Sequence, residues 1–184
     1  MRAFLAIPVS EEIKKYASEV RYDLAVCNPD IKWVEENNYH LTVKFLGNID
    51  NHIIPEIKKA MAIVGENCPP FELNIGGIGF FPNKFRPRVV WLGVDGEVNK
   101  AEFLASRVDD YLHPLGFELD KTHRFHLTLG RIRSEHNISK MMDRAARLSN
   151  RKLDLLVHEF CLMESSLTPF GPVYRIIDKF TING

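Results

Sequence analysis

The string His40-Leu41-Thr42-Val43 returns as His126-Leu127-Thr128-Leu129, 86 residues further on in a chain of 184. A near-copy at almost half the chain length constrains the fold more than composition does, because each copy has to occupy the equivalent place in a similar unit. The patterning around the copies agrees. Residues 1 to about 87 read strand, helix, strand, helix, strand, and the remainder from about 88 reads strand, helix, strand, helix, strand, strand. The expectation is one domain over 1–184 made of two similar lobes, about 1–87 and 88–184, with helices packed outside the strands. The repeat leaves open whether the lobes share one sheet.

The local signals are specific. Ala3, Leu5, Ile7 and Val9 alternate with Arg2, Phe4 and Ala6, which reads as a strand, and Ser10 is placed to cap a helix running to about Cys27. Ile31–Val34 and Tyr39–Leu46 read as strands. A helix from Ile53 is closed by Gly65, and Phe71–Ile78 is a strand leading into a breaker-rich loop from Gly79 to Lys84. Arg88–Val94 is a strand, Val98–Leu112 a helix, Phe125–Ile132 a strand and Ile138–Leu148 a helix. Two last strands cover Leu153–Leu162 and Val173–Ile182.

Side chains on a strand alternate between faces. That puts Leu41, Val43 and Phe45 against the helices and His40, Thr42 and Lys44 on the other face, and the second copy repeats the division with His126 and Thr128 facing out. A pseudo-two-fold would bring both polar faces to one groove. Two imidazoles and two hydroxyls in one small volume suit in-line displacement at phosphorus. One histidine takes a proton from the attacking oxygen and the other protonates the leaving oxygen, a division of labour that an unperturbed pKa near 6.5 allows. The hydroxyls would hold the non-bridging oxygens. A single histidine beside apolar residues is more often structural, and threonine is a good strand former. Recurrence of both, in phase, on the face turned away from the core is what packing does not explain.

Composition narrows the alternatives. The 24 Lys+Arg and 24 Asp+Glu cancel, with a pI of about 7.1, which argues against coating nucleic acid by bulk charge. The apolar run Ala3–Ile7 is far short of the roughly 20 residues of a membrane span, and the start carries no secretory h-region, so an intracellular, cytoplasmic chain without membrane contact is expected. Cys27, Cys68 and Cys161 are odd in number and widely spaced, which favours free thiols over a disulfide framework or zinc ribbon. Asn137-Ile138-Ser139 is a sequon without a secretory context. His123 and His126 lie three apart on a strand and would point to opposite faces, so neither a metal site nor any other cofactor is expected.

With these residues in place, the chain resembles the two-histidine phosphoesterase superfamily, and within it the RNA 2′,3′-cyclic phosphodiesterase group, also called 2′-5′ RNA ligases. The resemblance spans nearly the whole chain. It rests on both His-x-Thr motifs, on Arg2–Ile7, Asn38–Gly47, Gly79–Pro82 and Arg86–Val94, and on Pro114–Phe117, His126–Arg131 and Gly171–Tyr174. It implies an α+β bilobal fold with two antiparallel sheets facing a central groove. It also implies metal-free hydrolysis of a 2′,3′-cyclic phosphate at an RNA end, or on a cyclic nucleotide, to a 2′-phosphate by a monomeric enzyme. His40 and His126 match the catalytic pair, and Thr42, Thr128 and Arg131 the phosphate-binding groups. Simple alternation would put Arg131 beside Leu127 and Leu129, so its role requires a bulge or strand end near Gly130. Phe4 faces the groove with Ala6 and would stack a base or simply pack. Phe125 stands where relatives often carry Pro, which implies a local backbone difference. Lys84, Arg86 and Arg88, with Lys121, Arg124, Arg131 and Arg133, would form an RNA-binding rim. Two other readings use the same groove: joining of RNA ends through a 2′-5′ bond, and a module that binds RNA ends without turnover.

Overall fold

Cap chemistry and alternation set the first elements. In the computed structural model, which describes residues 1–148 and 150–184, strand β1 covers Arg2–Pro8 and helix α1 covers Glu11–Ala25. The Ser10 hydroxyl accepts from the Ile13 amide at 3.2 Å, and Ile13, Ala17, Val20 and Leu24 form the buried stripe of α1. The chain continues through β2 (Ile31–Trp33), β3 (His40–Asn48), α2 (Ile54–Glu66), β4 (Phe71–Phe81) and β5 (Val89–Gly96). Then come α3 (Val98–Leu112), β6 (His126–Ile132), α4 (Ile138–Arg147), β7 (Lys152–Val157), β8 (Glu159–Thr168) and β9 (Gly171–Thr181).

The strands pair antiparallel throughout, in the order β7-β4-β5-β6-β3-β1-β8-β9, with β2 added on β6. That order reads as a palindrome about the β3/β6 junction, each strand in one half having a counterpart at the same distance in the other. The junction rests on one residue pair, Leu41 with Leu127, which are equivalent positions of the sequence repeat. The pseudo-two-fold therefore passes through the two motifs. The two antiparallel sheets of the halves meet there as one curled surface, and the helices follow the same symmetry, α1 touching α4 and α2 touching α3. One face of the sheet packs with the helices into a single apolar cluster that includes Leu5, Ile7, Leu41, Leu92, Leu127 and Leu129. The other face lines the groove. Each half of the sheet takes strands from both halves of the chain: β8 and β9 flank β1, and β4 flanks β5.

Three local expectations change. The stretch read as one strand over Leu153–Leu162 is two, broken at His158, because β7 pairs with β4 in one half of the sheet and β8 pairs with β1 in the other. Gly79, Phe80 and Phe81 belong to β4 and not to a loop. Gly65 does not close α2, which runs on through it. A Cβ there would lie 2.2 Å from the Thr181 carbonyl oxygen, so this glycine lets the end of β9 approach the helix.

Candidate active site

Both motif strands break their alternation at the same place. On β3, Thr42 pairs with Ala6 and Lys44 with Leu5, leaving Val43 without a partner on β1. On β6, Thr128 pairs with Trp91 and Gly130 with Val90, leaving Leu129 without one on β5. These β-bulges sit at equivalent residues of the repeat, and each exchanges the faces of the residues that follow it, on β3 as far as a second register shift at Leu46. Lys44, expected in the groove with His40 and Thr42, instead follows Leu5 to the helix side and is 4% exposed. Phe45, expected in the core, turns into the groove opposite Phe4 and is 68% exposed. Arg131, the counterpart of Phe45, is turned to the groove by the bulge at Leu129, one residue before the Gly130 bend that its role required.

His40 and His126 occupy the first positions of β3 and β6, flanking the Leu41–Leu127 junction on the groove face. The Nδ1 of His40 lies 2.7 Å from the Asn38 carbonyl oxygen and Nε2 lies 2.9 Å from the Thr42 hydroxyl. A carbonyl only accepts, so Nδ1 carries the hydrogen and Nε2 is the nitrogen that gains and loses a proton. Asn38 is itself anchored, its side-chain amide donating to the Pro172 carbonyl at 2.9 Å. Burial holds His40 below the ordinary histidine range and the nearby His126 charge adds to this, against the opposing pull of the Asn38 carbonyl. His126 is also lowered, by burial first and then by the Arg131 guanidinium. The free groove thus favours two neutral imidazoles.

Phe4 is 4% exposed. Its ring centroid lies 4.9 Å from both His40 and Tyr174, and the Tyr174 ring stands edge-on to His40 at 5.4 Å. The surface expected to stack a base is covered, and Phe4 instead braces the His40 ring. Sequence reasoning assigns Tyr174 no role of its own, although it closes the last of the family-like strings. Burial raises its phenol pKa, against the opposing pull of the Arg131 and Arg2 charges. On the other side Trp91 lies 6.0 Å from His126, and these two residues line a pocket of about 410 Å³. Phe45, Tyr174 and Trp91 could not be assigned to the groove from periodicity, because the first depends on a bulge and the others on which strands become neighbours.

His123 lies outside β6, 3.3 Å from Asp109, so its orientation is not set by strand alternation. Asp109, Asp120 and His123 gather their ligand atoms within 4.8 Å of one another, a set that can hold a cation. The Lys44 ammonium is already among them, 2.6 Å from Asp109, 2.7 Å from the Glu118 carbonyl oxygen and 3.3 Å from Asp120. Its three N–H groups match these three acceptors. The bulge at Val43 thereby ties the strand of His40 to the segment that leads into His126. Lys84, Arg86 and Arg88 before β5, and Lys121, Arg124, Arg131 and Arg133 before, in and after β6, are exposed, and among the described residues none of the seven makes an ion pair.

Comparison with known proteins matches the LigT-like phosphoesterase family twice along the chain, over residues 7–91 and 92–174. The chain is 32% identical over 183 residues to the RNA 2′,3′-cyclic phosphodiesterase of Methanothermobacter thermautotrophicus, covering 99% of each chain. It is 33% identical over 184 residues to the enzyme of that name from Thermotoga maritima, covering 100% of this chain and 97% of the relative. Among solved structures, a Thermus thermophilus protein superposes with a TM-score of 0.83 at 26% identity, covering 100% of this chain and 99% of the other. Escherichia coli LigT complexed with 3′-AMP shares the fold, with a TM-score of 0.74 at 24% identity over 100% and 98% of the two chains.

Proposed function

Because the chain belongs to the LigT-like phosphoesterase family, we propose that it hydrolyses 2′,3′-cyclic phosphates at RNA ends to 2′-phosphates, using its paired histidines and no metal. The observation that carries this reading is the passage of the pseudo-two-fold between the two His-x-Thr motifs, at the Leu41–Leu127 pair. In this reading one imidazole and one hydroxyl stand on each side of a shared groove. The activity named for the relatives at 32% and 33% identity supports the choice of substrate.

In the reaction, one neutral histidine takes a proton from water as its oxygen attacks phosphorus in line with the 3′ oxygen. The P–O3′ bond breaks, and the second histidine, protonated, gives its proton to the departing O3′. Thr42 and Thr128 donate to the non-bridging oxygens, and Arg131 balances the charge that gathers on them. The depressed imidazoles fit a substrate-assisted cycle. A phosphate anion entering the groove favours the imidazolium form, so binding itself raises the affinity of one ring for a proton.

The test is incubation of a short RNA ending in 2′,3′-cyclic phosphate with the protein in EDTA, followed by identification of the product. A 2′-phosphate is expected, with a bell-shaped pH–rate profile. His40→Ala and His126→Ala should each lower kcat by at least about 100-fold, the scale of general acid–base catalysis, with far-UV circular dichroism unchanged. A 3′-phosphate product, abolition by EDTA, or substantial activity in either variant would reject the mechanism.

A further inference from the structure

Trp91 lies on the groove face of β5, between Thr128 on β6 and Gly79 on β4. Its neighbours Val90 and Leu92 point into the core and are fully buried, while Trp91 keeps part of its surface exposed. The indole does not stand off the sheet; it lies across it. A Cβ on Gly79 would sit 2.2–2.5 Å from the indole atoms Cη2, Cζ2 and Cζ3, and one on Gly93 would sit 3.3 Å from Cζ3. Two strands have thus given up side chains where the ring rests. One face of the indole is bedded on β4 backbone, and the ring borders the pocket that it shares with His126, Phe81, Phe125 and Arg124.

The aromatic rings on the side of the other histidine are arranged differently: Phe45 is exposed, but it has no bed of glycines beneath it. Phe4 is buried against His40 and Tyr174, and Tyr174 stands edge-on to both rings. For a nucleoside attached to a phosphate held between the histidines, the one indole bedded on glycines and open to a pocket beside a catalytic-motif histidine is on the His126 side. We propose that Trp91 is the stacking platform for the nucleobase next to the reacting phosphate, with the glycine bed at Gly79 and Gly93 holding the indole flat to receive it. This rests on the cyclic-phosphate reading above and adds the orientation of the substrate: base toward Trp91 and the pocket, phosphate charge toward Arg131. Stacking uses the π-face that every base has, so the seat accepts all four bases and discriminates chiefly against a substrate without one.

Two measurements test it. Kinetics with Trp91→Leu and Trp91→Phe are compared on an oligonucleotide ending in 2′,3′-cyclic phosphate and on base-free ribose 2′,3′-cyclic phosphate. Trp91→Leu should raise KM for the oligonucleotide by about 5- to 150-fold, the range of one stacked base, with KM for the base-free substrate unchanged. Trp91→Phe should recover most of the loss. Equal effects on both substrates, or none on either, overturn the proposal. The second measurement does not depend on turnover or on a Trp91 variant folding. The protein has two tryptophans, so Trp33→Phe leaves Trp91 as the only indole, and titration with a nucleoside 2′-monophosphate should quench its fluorescence while ribose phosphate should not. No quenching by the nucleotide overturns the seat. A wild-type protein that shows this quenching but does not hydrolyse the cyclic phosphate would reject the proposed activity and leave the seat standing.

Discussion

The imidazole of His40 is held in one tautomer by a backbone carbonyl, which makes its protonation a property of the fold. Both histidines are depressed mainly by burial, so the native state favours their neutral forms, whereas the unfolded chain titrates near 6.5. Below that pH the unfolded state binds more protons than the native state, so stability falls as pH drops through the window between 6.5 and the lower native values. We expect thermal unfolding scans from pH 7 to pH 5 to show a falling Tm, and His40→Asn to flatten the fall. Inorganic phosphate should oppose it by stabilising the imidazolium, with tighter phosphate binding at the lower pH. A Tm independent of pH over that range in both proteins would contradict this account.

At the scale of the strand, the bulges at Val43 and Leu129 give the two motifs different second functions. The position that each bulge hides holds Lys44 in one half and Gly130 in the other. The position that each turns into the groove holds Phe45 in one and Arg131 in the other. Gly130 has no room for a side chain, since a Cβ would lie 2.6 Å from Ile31 Cγ2 on β2. Lys44 has a buried carboxylate to meet, and the pair is balanced only while both are present. Lys44→Met alone should destabilise the protein by about 3–5 kcal/mol, because Asp109 is left as a buried charge without its cation. Lys44→Met with Asp109→Leu should recover much of that loss. Chemical denaturation of the four members of this cycle measures the coupling; additive effects would mean that Lys44 does not balance Asp109.

Over the whole molecule the net charge is zero, so attraction to RNA has to come from a local group of cations. Seven exposed cations, none of them in an ion pair among the described residues, lie on the loop before β5, on the segment before β6 and along and just after β6 itself. For an RNA substrate the expected signature is a KM that rises with ionic strength while kcat changes little, since released counterions weaken binding and not the chemical step. Arg86→Ala or Lys84→Ala should lower the salt slope of log(kcat/KM) by somewhat under one unit each, consistent with about 0.7 per phosphate contact on a single strand. A salt-independent KM would remove the rim from the binding surface.

The repeat, the two strand motifs and the helix stripes were legible in the residues, because periodicity and duplication are properties of the chain and survive without neighbours. Even the requirement for a bulge before Arg131 followed from counting alternation. The faces of Lys44 and Phe45 were not legible, because an unpaired residue on β3 is defined only by its partner strand β1. Nor was the break at His158, where one continuous apolar pattern serves two halves of a sheet. The covering of Phe4 by Tyr174 joins residues 170 positions apart, and the bed under Trp91 depends on which glycine lies across from it. Sequence alone established which groups are present and in what local rhythm. Tertiary structure decided which of them face one another, since strand pairing brings distant residues into contact and a single extra residue in a ladder reverses the side chains that follow it.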